Sequence, residues 1–77
     1  MKNKLIELLK ELLVNNDRID QVGIKVSIME NTAFLAQPKT IGEIGNIMEH
    51  VNAYVENPNE VNKLGVEKLI ERIESKF

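Results

Sequence analysis

The sequence predicts an all-α fold: a small four-helix bundle with a long, partly extended loop after the first helix. Three observations lead there. Leu5, Leu8, Leu9 and Leu12 recur at helical spacing near the start. A helix-start signal at Pro38-Lys39-Thr40-Ile41-Gly42-Glu43 opens a second apolar stripe, Ile41, Ile44, Met48, Val51 and Val55. A third stripe, Val66, Leu69, Ile70, Ile73 and Phe77, follows towards the end. The 77 residues contain no repeat, linker or low-complexity stretch and make one domain, 1–77. A chain this short buries only about 60% of the surface its unfolded form exposes, so its core is thin.

The first helix follows from Leu5, Leu8, Leu9 and Leu12 on one face, widened by Ile6 and Leu13, with Lys4, Glu7, Lys10 and Glu11 opposite. It ends at Asn15-Asn16-Asp17, whose short polar side chains compete for backbone hydrogen bonds. Between Asp17 and Gln37, Val22, Ile24, Val26 and Ile28 alternate with Gln21, Gly23, Lys25 and Ser27, the period-two pattern of a half-buried strand. No second strand is present to satisfy its backbone. Residues 22–28 therefore read either as an extended loop laid over a helical core, the favoured reading, or as a strand pairing with its copy in a dimer. Ala33, Phe34 and Leu35 can add a helical turn before Pro38 interrupts it.

The next long helix runs from Ile41 to Glu56, with Thr40 and Glu43 forming a reciprocal capping box. Gly42 and Gly45 each cost it about 1 kcal/mol relative to alanine. Either the stripe and cap compensate, or a neighbour packs against bare backbone there. Asn57-Pro58-Asn59-Glu60 starts another helix, with Asn57 as cap. Val61 and Leu64 lie out of phase with the stripe from Val66 onwards, which predicts a short third helix, a break near Gly65 and a fourth helix.

Composition narrows the function classes. There is no cysteine, hence no disulfide or thiolate chemistry, and a cytoplasmic location is expected. Lys2 and Lys4 precede an apolar pair, but Glu7, Lys10 and Glu11 break the run, which argues against a secretory leader. No stretch approaches the ~20 apolar residues that span a bilayer. Ten basic and 12 acidic residues, interspersed, give a net charge of −2, and three scattered aromatics make no base-stacking platform, so no nucleic acid is expected. His50, the single histidine, lies roughly opposite the apolar stripe of its helix, without a nucleophile to serve. No metal-ligand spacing and no phosphate-cradling glycine loop is present. Catalysis is not expected.

The order of elements resembles the acyl carrier proteins. Leu5 to Asp20, ending Asn15-Asn16-Asp17-Arg18-Ile19-Asp20, is similar to the family's first helix and the polar turn after it. Ile41 to Val55 resembles its recognition helix, and Pro58-Asn59-Glu60-Val61 through Leu64-Gly65-Val66 to Glu74 resembles its short third helix running into the fourth. Thr40-Ile41-Gly42-Glu43-Ile44 also resembles the opening of the family's last helix, a second register. The family attaches 4′-phosphopantetheine to the serine of an Asp-Ser-Leu tripeptide; the corresponding residues here are Lys39-Thr40-Ile41. The resemblance thus implies Thr40 as the position of the cofactor-bearing hydroxyl, on a more hindered side chain and without the aspartate, and no cofactor is expected unless Thr40 can be modified.

The resemblance further implies a non-catalytic carrier-like domain, either a divergent acyl carrier or a docking or scaffold relative that has lost its prosthetic group. Docking in that family uses an acidic second helix, which singles out Glu43, Glu49 and Glu56 for a protein partner with a basic surface. The alternative is a small homodimeric interaction or regulatory protein pairing through residues 22–28.

Overall fold

The computed structural model describes residues 2–77. Four α-helices make up the fold: α1 (Lys2–Val14), α2 (Arg18–Glu30), α3 (Ile41–Glu56) and α4 (Glu60–Lys76), with a 3-10 turn at Ala33–Leu35 between α2 and α3. They close into a ring, α1 against α2 and α4, and α3 against α2 and α4. The Cα radius of gyration is 11.5 Å, matching the ~11.5 Å of a fully packed chain of this length.

Helix α1 buries Leu5, Ile6, Leu8, Leu9 and Leu12, the face its spacing predicts. Opposite it, α3 buries Ile47, Val51, Tyr54 and Val55, and α4 buries Val66, Leu69, Ile70 and Ile73. The Tyr54 hydroxyl reaches the Leu13 carbonyl at 3.5 Å, so its polar end leaves the core towards the end of α1.

The largest correction concerns residues 18–30. They are neither an extended loop nor a strand but the helix α2. Asp17 caps it, its Oδ1 accepting from the backbone N–H groups of Ile19 at 2.8 Å and Asp20 at 3.1 Å. The helix buries Gln21, Ile24 and Ile28, a three-and-four spacing that shares two of its members with the alternating set. The other two, Val22 and Val26, point the other way and are each 48% exposed. A lone strand leaves its N–H and C=O groups without partners, whereas a helix satisfies them within itself, and that difference decides between two periods the sequence supports almost equally. Pairing of two copies through a strand at 22–28 falls with the strand. Buried Gln21 donates its Nε2 to the Asn15 carbonyl at 2.7 Å, which closes the α1–α2 turn.

The break near Gly65 is also corrected: α4 is continuous from Glu60 to Lys76. Val61 and Leu64 do not form a separate buried face; they are 78% and 50% exposed, which is why their phase differs from the core stripe. The cap is Asn59 rather than Asn57, its Oδ1 accepting from the Asn62 N–H at 2.9 Å. Asn62 in turn donates its Nδ2 to the carbonyls of Asn57 at 2.8 Å and Ala53 at 3.2 Å, fastening the start of α4 to the end of α3.

Candidate functional site

Thr40 stands directly before α3, but it does not cap it. Asp17 and Asn59, which do cap, have extended backbones with ψ of 121° and 174°. Thr40 has ψ of −7°, a turn conformation set by the Gln37–Thr40 bend, from which the side chain does not accept from the first free N–H groups of the helix. Its hydroxyl donates backwards to the Leu35 carbonyl at 2.8 Å. The capping box is thus replaced by a bond that pins the 3-10 turn to the head of α3. Beside it lies a cleft of about 600 Å³ lined by Phe34, Leu35, Pro38, Thr40 and Phe77, with Lys39 and Lys76 supplying its charge.

Glu43 does not reach back to Thr40 either. Its carboxylate accepts from Arg72 of α4, at 2.7 Å from Nη2 and 3.2 Å from Nε. The side chain of Glu43 is only 18% exposed. The Arg72 hydrogen bonds hold its carboxyl below the usual carboxylate range, and the same bonds raise Arg72 above its ordinary value. An acid so engaged serves the fold before it serves a partner. Glu49 and Glu56 are exposed on α3, two turns apart on one face, together with Gly42 and Gly45. Nothing lies within 4 Å of where a Cβ would stand at either glycine, so neither marks a close approach.

His50 is half-buried rather than free in solvent. Its Nδ1 lies 3.1 Å from where a Cβ on Gly65 would stand, so the ring rests over the bare backbone of α4. Among the described residues, no three His, Cys, Asp or Glu side chains converge as a metal site, and no helix is long and apolar enough to cross a membrane. Thr40 faces Leu35, Glu43 faces Arg72, and Glu49 and Glu56 share an exposed face of α3, so the four do not converge on one reacting centre.

A second surface went unread in the sequence. Ile19, Val22, Val26 and Met29 are 83%, 48%, 48% and 50% exposed. They recur at steps of three, four and three, so they form a straight seam along α2, on the side away from Gln21, Ile24 and Ile28. The signal was present in that spacing. It was hidden because two apolar stripes on opposite sides of one helix, read residue by residue, look like alternation. Comparison with protein families, with curated proteins and with solved structures gives no match.

Proposed function

We propose that this chain is a non-catalytic docking domain that meets a protein partner through the outer face of α2, the role a carrier-like domain keeps once it bears no prosthetic group. The observation that carries this reading is the seam itself: four large apolar side chains in line, half to four-fifths exposed, on a helix whose opposite face already completes the core. Single exposed apolar residues are ordinary, but a contiguous row marks a contact surface. The state of Thr40 supports docking over carrying, since its hydroxyl donates to the Leu35 carbonyl at 2.8 Å and attachment of a prosthetic group would have to break that bond. Glu49 and Glu56 remain open to a basic surface, whereas Glu43 is held by Arg72.

A photo-reactive residue placed at Val22, and as a control at exposed Lys68 on α4, tests the reading in cells. A discrete adduct from position 22, absent from position 68 and lost when Val26→Glu is added, is expected. No adduct at position 22, or equal adducts from both, contradicts it. Incubation with coenzyme A and a broad-specificity phosphopantetheinyl transferase is expected to leave the mass unchanged; a phosphopantetheine adduct on Thr40 would instead make the chain a working carrier.

A further inference from the structure

We infer that the partner of the α2 seam is a second copy of this chain, its α2 lying parallel and in register. The inference rests on the docking reading and names the occupant. Ile19 and Val26 take the a positions of a heptad and Val22 and Met29 the d positions. Ile and Val at a suit parallel two-stranded pairing; d carries Val22 and Met29 in place of the leucine that completes that preference, so the flanking charges decide the orientation. Arg18 and Lys25 fall at g, and Gly23 and Glu30 at e. A parallel pair sets each g beside the e five residues on in its neighbour, so Lys25 of one copy meets Glu30 of the other, twice by symmetry. An antiparallel pair would set the basic g edges against each other. Neither Lys25 nor Glu30 has an ion-pair partner among the described residues of its own chain.

The magnitude is bounded by length. From Ile19 to Met29 the seam on this 13-residue helix is about 15 Å long. A stable dimer buries about 800 Å² per partner, about a sixth of the 4847 Å² this chain exposes. A seam of two heptads falls short of that, which places the pairing in the weak, reversible class.

Sedimentation equilibrium of the full chain from micromolar to millimolar concentration tests it. A reversible monomer–dimer equilibrium is expected. Val26→Glu should abolish it while helical circular dichroism and the melting temperature persist. Lys25→Glu or Glu30→Lys alone should weaken it about tenfold, because symmetry counts each change twice, and the two together should restore it. A dimer indifferent to Val26→Glu, or a charge swap that fails to restore pairing, overturns the parallel seam. A protein monomeric throughout also overturns it. If that monomer still yields an adduct from position 22 whose mass differs from twice the chain's, docking stands with another partner; if it yields none, both readings fall.

Discussion

The guanidinium of Arg72 holds the carboxylate of Glu43 in a two-donor fork, at 2.7 and 3.2 Å, between the first turn of α3 and the last third of α4. A planar fork of this kind fixes direction as well as charge, which lysine cannot do. Arg72→Lys is therefore expected to lower the melting temperature, as is Glu43→Gln. The pH dependence has a definite sign. The Arg72 hydrogen bonds hold the Glu43 carboxyl below its ordinary value in the folded state, so its contribution is fully present above the unfolded value and fades as pH falls through the folded one. Thermal melts across the acid range check this: Glu43→Gln should melt below the parent at neutral pH and converge with it in strong acid.

Gly65 and the glycines of α3 should respond in opposite ways. Alanine at Gly42 or Gly45 meets nothing within 4 Å, and each substitution is expected to stabilise by about 1 kcal/mol in urea denaturation. At Gly65 a Cβ would stand 3.1 Å from the Nδ1 of His50, so Gly65→Ala should gain less than either or lose stability. Removing the ring with His50→Ala should release the full gain, which shows as positive coupling in a double-mutant cycle.

Residues 26 and 28 separate the helix from the alternating strand. A strand would set Val26 and Ile28 on one face and make their truncations alike. In α2, Ile28 is fully buried and Val26 is 48% exposed. Ile28→Ala should cost about 2–5 kcal/mol, and Val26→Ala should remain within about 0.5 kcal/mol of the parent, measured on monomeric protein.

The caps make a further test. Asp17→Ala and Asn59→Ala should each cost about 1 kcal/mol through lost capping bonds. Thr40→Ala should cost a similar ~1 kcal/mol through the bond to Leu35. Because Thr40 and Glu43 have different partners, their alanine substitutions should add within about 0.5 kcal/mol, whereas a capping box would couple them.

What could be read from the sequence follows the range of the forces involved. Helix α1 was legible because Leu5, Leu8, Leu9 and Leu12 admit only one period, and α3 was placed at Ile41–Glu56 by its apolar stripe, although the Thr40–Glu43 capping box and the Asn57 cap read beside it do not form. Helix α2 was not, since Val22, Ile24, Val26 and Ile28 fit both periods and only the missing partner strand decides between them. The continuity of α4 was hidden because Val61 and Leu64 lie in solvent, where apolar phase carries no information about the core. At the site, the position of Thr40 was readable but its bond to Leu35 was not, because the bend at Gln37–Thr40 sets it. The partner of Glu43 lies 29 residues away and belongs to tertiary packing.

The most direct check is the backbone of residues 18–30 in solution by NMR. Helical carbon shifts, sequential amide contacts through Glu30 and slow amide exchange at Ile24 and Ile28 are expected, with the Val22 and Val26 side chains still reachable by solvent or a partner. Strand-type shifts with contacts between copies across residues 22–28 would contradict the helix, and with it the seam that the function is built on.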